Sequence, residues 1–340
     1  MKILVTGGAG FIGANFVLEM LATHEDVHIV NFDALTYAGN LENLRSVEDD
    51  PRHRFVRGDV CDSGAVASVL DDTVDAVVHF AAESHVDRSV EGPDVFLRTN
   101  VMGTQVLLER MRELRQGRFV MISTDEVYGS LGAEGAFTET TPLAPNSPYS
   151  ASKASADLLC RAYHHTFGVD MVITRCSNNY GPFQFPEKLI PLMIANAMDD
   201  RELPVYGDGR NVRDWLHVRD HCRAIDVVMR GGRSGEVYNI GGNSERENIQ
   251  VVKALLDHLD KPHDLITYVT DRPGHDRRYA IDASKIRDEL NWEPTVVFED
   301  GLARTIDWYR DNGTWLEQVR SGAYRDYYET MYGDRSRFAS

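Results

Sequence analysis

The segment Val5-Thr6-Gly7-Gly8-Ala9-Gly10-Phe11-Ile12-Gly13 constrains this chain more than any other part of it. It joins a short apolar run at residues 3–5 to a stretch at 11–21 in which Phe11, Phe16, Val17 and Met20 fall near one helical face. Gly7, Gly10 and Gly13 recur at intervals of three, and Gly8, Gly10 and Gly13 also fit G-x-G-x-x-G. A turn this tight from strand to helix needs residues without Cβ. It also lets backbone N–H groups at the helix start approach a pyrophosphate, whose charge the helix N-terminus stabilises. A second apolar run at 27–32 ends on Asp33, 20 residues after Gly13 (33 − 13). A carboxylate there accepts hydrogen bonds from ribose hydroxyls and repels a 2′-phosphate. Ala34, Leu35 and Thr36 bring no arginine to compensate. Strand, glycine turn, helix, strand and acid in this order predict NAD binding. Asp59, after the third run, stands where an adenine contact would fall.

Further apolar runs at 55–56, 76–80, 119–122 and 171–174 alternate with amphipathic stretches, among them 95–114 with Val101, Leu107, Leu108 and Met111 near one face. Alternating β and α units predict a doubly wound parallel sheet, a Rossmann α/β domain over residues 1–180. Beyond it the pattern changes. Pro182, Pro186 and Pro191 fall close together, and Gly/Asp-rich turns separate shorter elements. Helices are expected at 218–229, 249–259, 284–290 and 299–311. Residues 181–333 read as a smaller C-terminal α/β substrate lobe, able to share segments with the first domain, and 334–340 as a frayed tail.

Charge and cysteines exclude other classes. Lys plus Arg is 36 and Asp plus Glu is 53, a net charge of −17. This argues against nucleic-acid binding, which needs a basic footprint. No apolar run approaches the roughly 18 residues of a membrane helix, and the run at 3–5 is too short for a signal peptide. Cys61, Cys160, Cys176 and Cys222 form no CxxC pair, so no metal site is expected and reduced thiols in the cytoplasm are.

Two further motifs carry chemistry. Tyr149-Ser150-Ala151-Ser152-Lys153 opens a helix after Pro148, and residues i and i+4 share a face. A lysine ammonium beside a tyrosine is expected to lower the phenol's pKa from its usual ~10 and make it a usable base. Ser123-Thr124-Asp125-Glu126-Val127-Tyr128-Gly129 ends the run at 119–122. In open parallel sheets ligands sit beyond the carboxyl ends of strands, so these polar groups are expected at the cofactor crevice.

Together the glycine turn and Tyr149-x-x-x-Lys153 resemble the extended short-chain dehydrogenase/reductases that act on nucleotide sugars. The resemblance spans nearly the whole chain and sharpens to the dTDP-glucose 4,6-dehydratases. It is carried by DALTYAGN at 33–40, AAESHVDRS at 81–89, STDEVYG at 123–129, NNYGP at 178–182, PEKLIP at 186–191, RDW at 213–215 and DRPGH at 271–275. It implies that Tyr149 takes the proton of a sugar 4-hydroxyl with Thr124 hydrogen-bonding that oxygen, and that Lys153 holds the nicotinamide ribose. Glu126 would be the base at C5 and Asp125 the acid for the departing C6 hydroxyl. It places Gly7, Gly10, Phe11, Ile12, Gly13, Asp33, Ala34, Leu35, Thr36, Asp59, Val60, Phe80, Ala81, Ala82, Thr99 and Asn179 around NAD. Around a nucleotide-sugar substrate it places Ser84, Asn178, Lys188, Leu189, Pro204, Tyr206, Arg213, Asn248, Arg272 and His275, beside the catalytic set. A UDP-sugar 4-epimerase, a GDP- or CDP-sugar dehydratase and a non-catalytic dinucleotide sensor are the alternatives. The acid pair favours dehydration, since C4 epimerisation needs no C5 base or C6 acid.

The resemblance also implies a homodimer built on a four-helix bundle. The stretch 95–114 (Val101, Val106, Leu107, Leu108, Met111, Leu114) and the stretch 154–167 (Leu158, Leu159, Ala162, Tyr163) are apolar over more than the one stripe that covering a sheet requires.

Overall fold

A computed structural model describes residues 1–271 and 275–320. The expected tail at 334–340 lies outside the described residues. Seven parallel strands form the main sheet: β1 (Lys2–Thr6), β2 (His28–Asp33), β3 (His53–Arg57), β4 (Ala76–His79), β5 (Arg118–Thr124), β6 (Met171–Cys176) and a seventh, Val237–Ile240. Their spatial order is β3-β2-β1-β4-β5-β6 followed by that seventh strand. Register runs Ile3↔Ile29 on one side of β1 and Ile3↔Ala76 on the other. The chain winds outward from β1 in one direction and from β4 in the other, so a crevice opens between their carboxyl ends. Ile3, Leu4 and Val5 of β1 are fully buried, because helices cover both faces. Each such side chain contributes about 1.5–3 kcal/mol on burial.

Helix α1 (Phe11–Thr23) follows the glycine turn, and α2 (Ser63–Val69) follows β3. After β4 come α3 (Val86–Glu91), α4 (Pro93–Phe96), a π-helical segment Leu97–Gly103 and α5 (Thr104–Leu114). The continuous helix expected at 95–114 is therefore interrupted. The wider turn moves Val101 off the buried face and brings Asn100 inward, only 1 % exposed. Helix α6 (Pro148–Phe167) starts with a capping box. The Ser147 hydroxyl accepts from the Ser150 N–H at 3.1 Å, and the Ser150 hydroxyl accepts from the Ser147 N–H at 3.0 Å. Beneath it the Arg175 guanidinium donates to Asp157 at 2.9 Å, a buried ion pair joining α6 to β6.

After β6 come β7 (Asn178–Tyr180), α7 (Leu189–Met198), β8 (Leu203–Tyr206), β9 (Val212–His217) and α8 (Val218–Gly231). With the seventh sheet strand named β10, there follow β11 (Glu245–Glu247), α9 (Asn248–His258), β12 (Ile266–Val269), α10 (Ser284–Leu290), α11 (Phe298–Asp311) and α12 (Gly313–Val319). Small sheets β11-β9-β7 and β12-β8 organise the second lobe. Its core joins Trp215, Phe298, Tyr309 and Trp315 with aliphatic residues of α7 and α9. Helix α8 and strand β10 return to the first domain, where α8 packs with α1 in one core.

Candidate active site

The glycine turn is built by contacts within the protein at two of its three positions. Gly7 has φ +70°, and a Cβ there would lie 2.5 Å from the Ala81 nitrogen. A Cβ on Gly13 would lie 2.3 Å from the Gly7 carbonyl oxygen. At Gly10 the nearest atom a Cβ would meet is that same oxygen at 3.4 Å, so open space, not the fold, lies over this residue. The Asp33 carboxylate closes the turn from β2, accepting from the Ala9 N–H at 2.9 Å and the Leu35 N–H at 2.8 Å. Burial raises its pKa, and those two N–H groups oppose the rise.

A cavity of about 570 Å³ lies over this turn, beyond the ends of β1, β4 and β5. Its wall contains Gly7, Gly10, Phe11, Ile12, Gly13, Asp33, Ala34, Thr36, Asp59, Val60, Phe80, Ala81, Ala82, Ser84, Thr99 and Asn179. Thr124, Glu126, Tyr149, Lys153, Asn178, Lys188 and Leu189 share it. Leu35 does not. It sits at φ +54° with its side chain against the main core, and shapes the Asp33 turn instead.

Strand β5 delivers the turn that carries the expected catalytic residues Thr124, Asp125 and Glu126. Thr124 ends the strand, and its hydroxyl accepts from the Glu126 N–H at 3.3 Å. Asp125 is 2 % exposed and does not line the cavity. Its pKa stands well above the ordinary carboxylate range, chiefly through burial, then through the Glu126 and Asp214 charges. Arg213 and Thr124 pull the other way. Two adjacent carboxyls therefore differ in setting, one enclosed and one facing the cavity. Tyr149 and Lys153 occupy the first turns of α6, with Tyr149 edge-on to Phe96 at 6.3 Å.

The structure adds a partner for the lysine and a setting for the phenol. Lys153 Nζ donates to the Ile122 carbonyl at 2.7 Å. The Tyr149 phenol is pushed well up, first by burial and then by Glu126, with Cys176 and Asp125 adding and the Thr124 side chain opposing. Desolvation in a closed site is the largest of these causes. Burial also lowers the pKa of Lys153, against Asp157.

Apart from Lys188, the remaining expected residues described lie off this cavity, in the second lobe. Lys188, on its wall, donates to the Ser84 carbonyl at 2.7 Å. Pro204 and Tyr206 lie on β8, and the Tyr206 hydroxyl donates to Asp87 at 3.1 Å. Arg213, on β9, lies over the Tyr279 ring at 4.4 Å and donates to the Asp276 carbonyl at 2.8 Å. Asn248 opens α9, and its N–H donates to the Asn211 carbonyl at 2.9 Å. His275 packs edge-on to Tyr206 and is 2.6 Å from Asp271. Arg272 lies outside the described residues.

Several residues that the sequence reading missed hold the site in shape. The Asn100 amide donates to the Glu83 carbonyl at 2.9 Å and to the Ser152 hydroxyl at 2.8 Å, and its oxygen accepts from the Glu83 N–H at 2.9 Å. It thus pins the 81–84 loop to α6. His221, whose pKa burial lowers to about 3, fixes Asn179 at 2.9 Å. Tyr279 lies under the fields of Glu126 and Arg213, its phenol raised chiefly by burial. No motif spacing marks any of the three.

The pattern of the GDP-mannose 4,6 dehydratase family matches residues 4–305. The dTDP-glucose 4,6-dehydratase of Xanthomonas campestris pv. campestris (strain B100) is 59 % identical over 95 % of this chain and 97 % of its own. The chain belongs to this family, among its dTDP-glucose 4,6-dehydratases. The crystal structure of the Streptomyces venezuelae dTDP-glucose 4,6-dehydratase, solved with NAD bound, superposes with a TM-score of 0.92 at 55 % identity, covering 94 % of this chain and 100 % of that one. A Bacillus cereus UDP-glucuronic acid 4-epimerase gives 0.85 at 31 % identity, over 92 % of this chain and 99 % of that one. The family's scaffold thus serves both reactions, and the choice between them rests on side chains.

Proposed function

We propose that this chain is a hydro-lyase that converts dTDP-glucose to dTDP-4-keto-6-deoxyglucose with NAD as a recycled cofactor. One observation carries the choice of reaction. Asp125 is enclosed, and burial beside Glu126 and Asp214 raises its pKa, in the same turn that presents Glu126 to the cavity holding Tyr149. Paired carboxyls in unlike settings, one enclosed and favouring its proton and one facing the cavity, suit loss of water and have no task in a C4 epimerisation.

The residues fit NAD. Gly10 is kept without a side chain by no contact within the protein, which leaves room for a pyrophosphate at the start of α1. Asp33 stands at the end of β2 for ribose hydroxyls. When bound, NAD supplies a hydride acceptor for sugar C4, returns the hydride at C6 and adds positive charge to the cavity. As the phenolate, which the cofactor's positive charge and the Lys153 ammonium favour, Tyr149 takes the proton of the 4-hydroxyl; Thr124 orients that oxygen, and Lys153 holds the cofactor ribose. Once C4 is a ketone, the C5 proton is acidic. Glu126 removes it while Asp125 protonates the C6 oxygen, which leaves as water. Glu126, after exchange with solvent, returns a proton to C5; Tyr149 then gives up its proton and Asp125 takes one back, which resets the site. Lys188, Arg213 and Arg272 supply the cations that a nucleoside diphosphate needs in a chain of net charge −17.

No helix among the described residues is long and apolar enough to cross a membrane. All four cysteines are unpaired, which supports a reducing compartment, the cytoplasm. The partner of the chain is a second copy. Leu97, Met102 and Leu158 are 51 %, 61 % and 56 % exposed on the π-helical segment and α6, the helical face expected to form a two-fold bundle.

The test is incubation of the purified chain with NAD and dTDP-glucose in D2O. The expected product is lighter than substrate by one water, before counting isotope, and carries deuterium at C5. Recovery of only a C4 epimer would move the chain to the epimerase reading.

A further inference from the structure

The wall of the cavity beyond Asp33 is a short segment with unusual anchoring. Its two ends are fixed to the glycine turn. Asp33 accepts from the Ala9 N–H, and the Asn40 N–H donates to the Ala9 carbonyl at 3.0 Å. Between them Thr36, Ala38 and Gly39 face the cavity. Tyr37 faces away, into a second, smaller hollow that it shares with Arg88 and Phe185. There it is gripped on three sides. The Arg88 guanidinium lies over its ring at 4.0 Å, and Phe185 meets it edge-on at 5.5 Å. Its hydroxyl donates to one oxygen of Glu187 at 2.9 Å, while the Arg88 Nε donates to the other at 3.2 Å.

Glu187 belongs to the other side of the molecule. It immediately precedes Lys188, whose ammonium donates to the Ser84 carbonyl, and α7 of the second lobe. Its carboxylate is nearly enclosed, so its bond from Tyr37 is charge-assisted and shielded from water. Burial and the same carboxylate hold the Tyr37 phenol well above its ordinary value, so it remains a donor throughout the neutral range.

We propose that Tyr37 is a clasp: a positioning residue that ties the cofactor-side wall to Glu187 and Arg88, and so slows escape of the dinucleotide between turnovers. The inference rests on the proposed reaction, in which the cofactor is regenerated on the enzyme and gains nothing by exchanging. A clasp raises no barrier to chemistry, since Tyr37 lines no part of the cavity. It acts on residence alone.

The test measures NAD release from the holoenzyme directly, by stopped-flow after mixing with excess competing dinucleotide, in wild type, Tyr37→Phe and Tyr37→Ala. Tyr37→Phe removes only the hydroxyl, keeping the ring under Arg88. Losing a hydrogen bond to a charged acceptor corresponds to roughly tenfold faster release. Tyr37→Ala should release faster still. With NAD saturating, kcat should stay within about twofold of wild type, while the NAD concentration needed for half-maximal activity rises with the release rate. Release unchanged in folded Tyr37→Phe and Tyr37→Ala overturns the clasp. So does a fall in kcat at saturating NAD as large as the gain in release, which marks a general loss of structure. Wild type that binds NAD but yields no 4-keto-6-deoxy product refutes the reaction and leaves the release comparison standing by itself.

Discussion

Replacing Asp125 by asparagine separates what this carboxyl does in the reaction from what it does to the fold. The side chain is enclosed, and burial, Glu126 and Asp214 all raise its pKa. The folded carboxyl therefore keeps its proton to higher pH than the unfolded one. Between the two values folding takes up a proton. Below the unfolded pKa, about 4, both states are protonated and nothing is lost. As pH rises from there toward the folded value, stability falls, by about 1.4 kcal/mol for each pH unit between the two. Asparagine does not titrate, so Asp125→Asn escapes this loss. Its amide keeps the acceptor that Thr124 addresses at 3.3 Å. The NH2 stands where Oδ2 stands now, an atom without a protein partner. An unpaired buried donor costs about 1–3 kcal/mol, but the wild-type hydroxyl there carries a similar cost, so the two nearly cancel at low pH. The variant should thus match wild type near pH 4 and exceed it increasingly as pH rises through the interval between the unfolded and folded values. Its kcat should fall by roughly 10²–10⁴, the usual consequence of losing a general acid, equal to about 3–5 kcal/mol of barrier. Urea unfolding across this pH range and product formation by mass spectrometry read the two effects. A wild type that gains stability over the variant as pH rises would mean that Asp125 is ionised when folded. A variant that still dehydrates at the wild-type rate would remove Asp125 as the acid.

Three further outcomes follow from the same geometry. Glu126→Gln should leave C4 oxidation intact but block loss of the C5 proton, so single-turnover mixing should show reduced-nicotinamide absorbance rising and persisting without 6-deoxy product; equal slowing of the absorbance rise would show that Glu126 serves the first step too. Gly10→Ala should fold with a stability change below about 1 kcal/mol, because its Cβ meets only the Gly7 oxygen, yet bind NAD at least about tenfold more weakly by calorimetry; undiminished binding would deny that the space over Gly10 is the pyrophosphate site. Met102→Arg and Leu158→Arg should convert a dimer to a folded monomer by light scattering, whereas Leu108→Arg, a residue fully buried in its own subunit, should unfold the chain instead; unchanged mass in both surface variants would place the interface elsewhere.

What the sequence discloses and what it hides follow from how far each signal reaches along the chain. The glycine turn, the strand that Asp33 ends and the parallel, doubly wound sheet are legible because each rests on residues close in sequence and on the alternation of strand and helix. Strand β10 is a different case. Val237–Ile240 is short, and its place beside β6 depends on α8 carrying the chain back across the first domain, which no local pattern announces. The same limit applied to the expectation for Tyr149. Four-residue spacing correctly puts Lys153 on its helix, but the phenol's pKa depends on Glu126, Cys176 and total desolvation, all contributed by other elements. Asn100 makes the point most sharply. A 3.6-residue period run through 95–114 selects Val101 for the interior, and only the inserted π-helical turn rotates Asn100 inward in its place. π-turns are rare and concentrate at functional sites, because an extra residue in a helix is stable only where something else compensates it. Here the compensation is visible. Three hydrogen bonds join Asn100 to Glu83 and Ser152, so the irregularity that defeats the periodic reading also holds the cavity's loop against the helix that carries Tyr149 and Lys153.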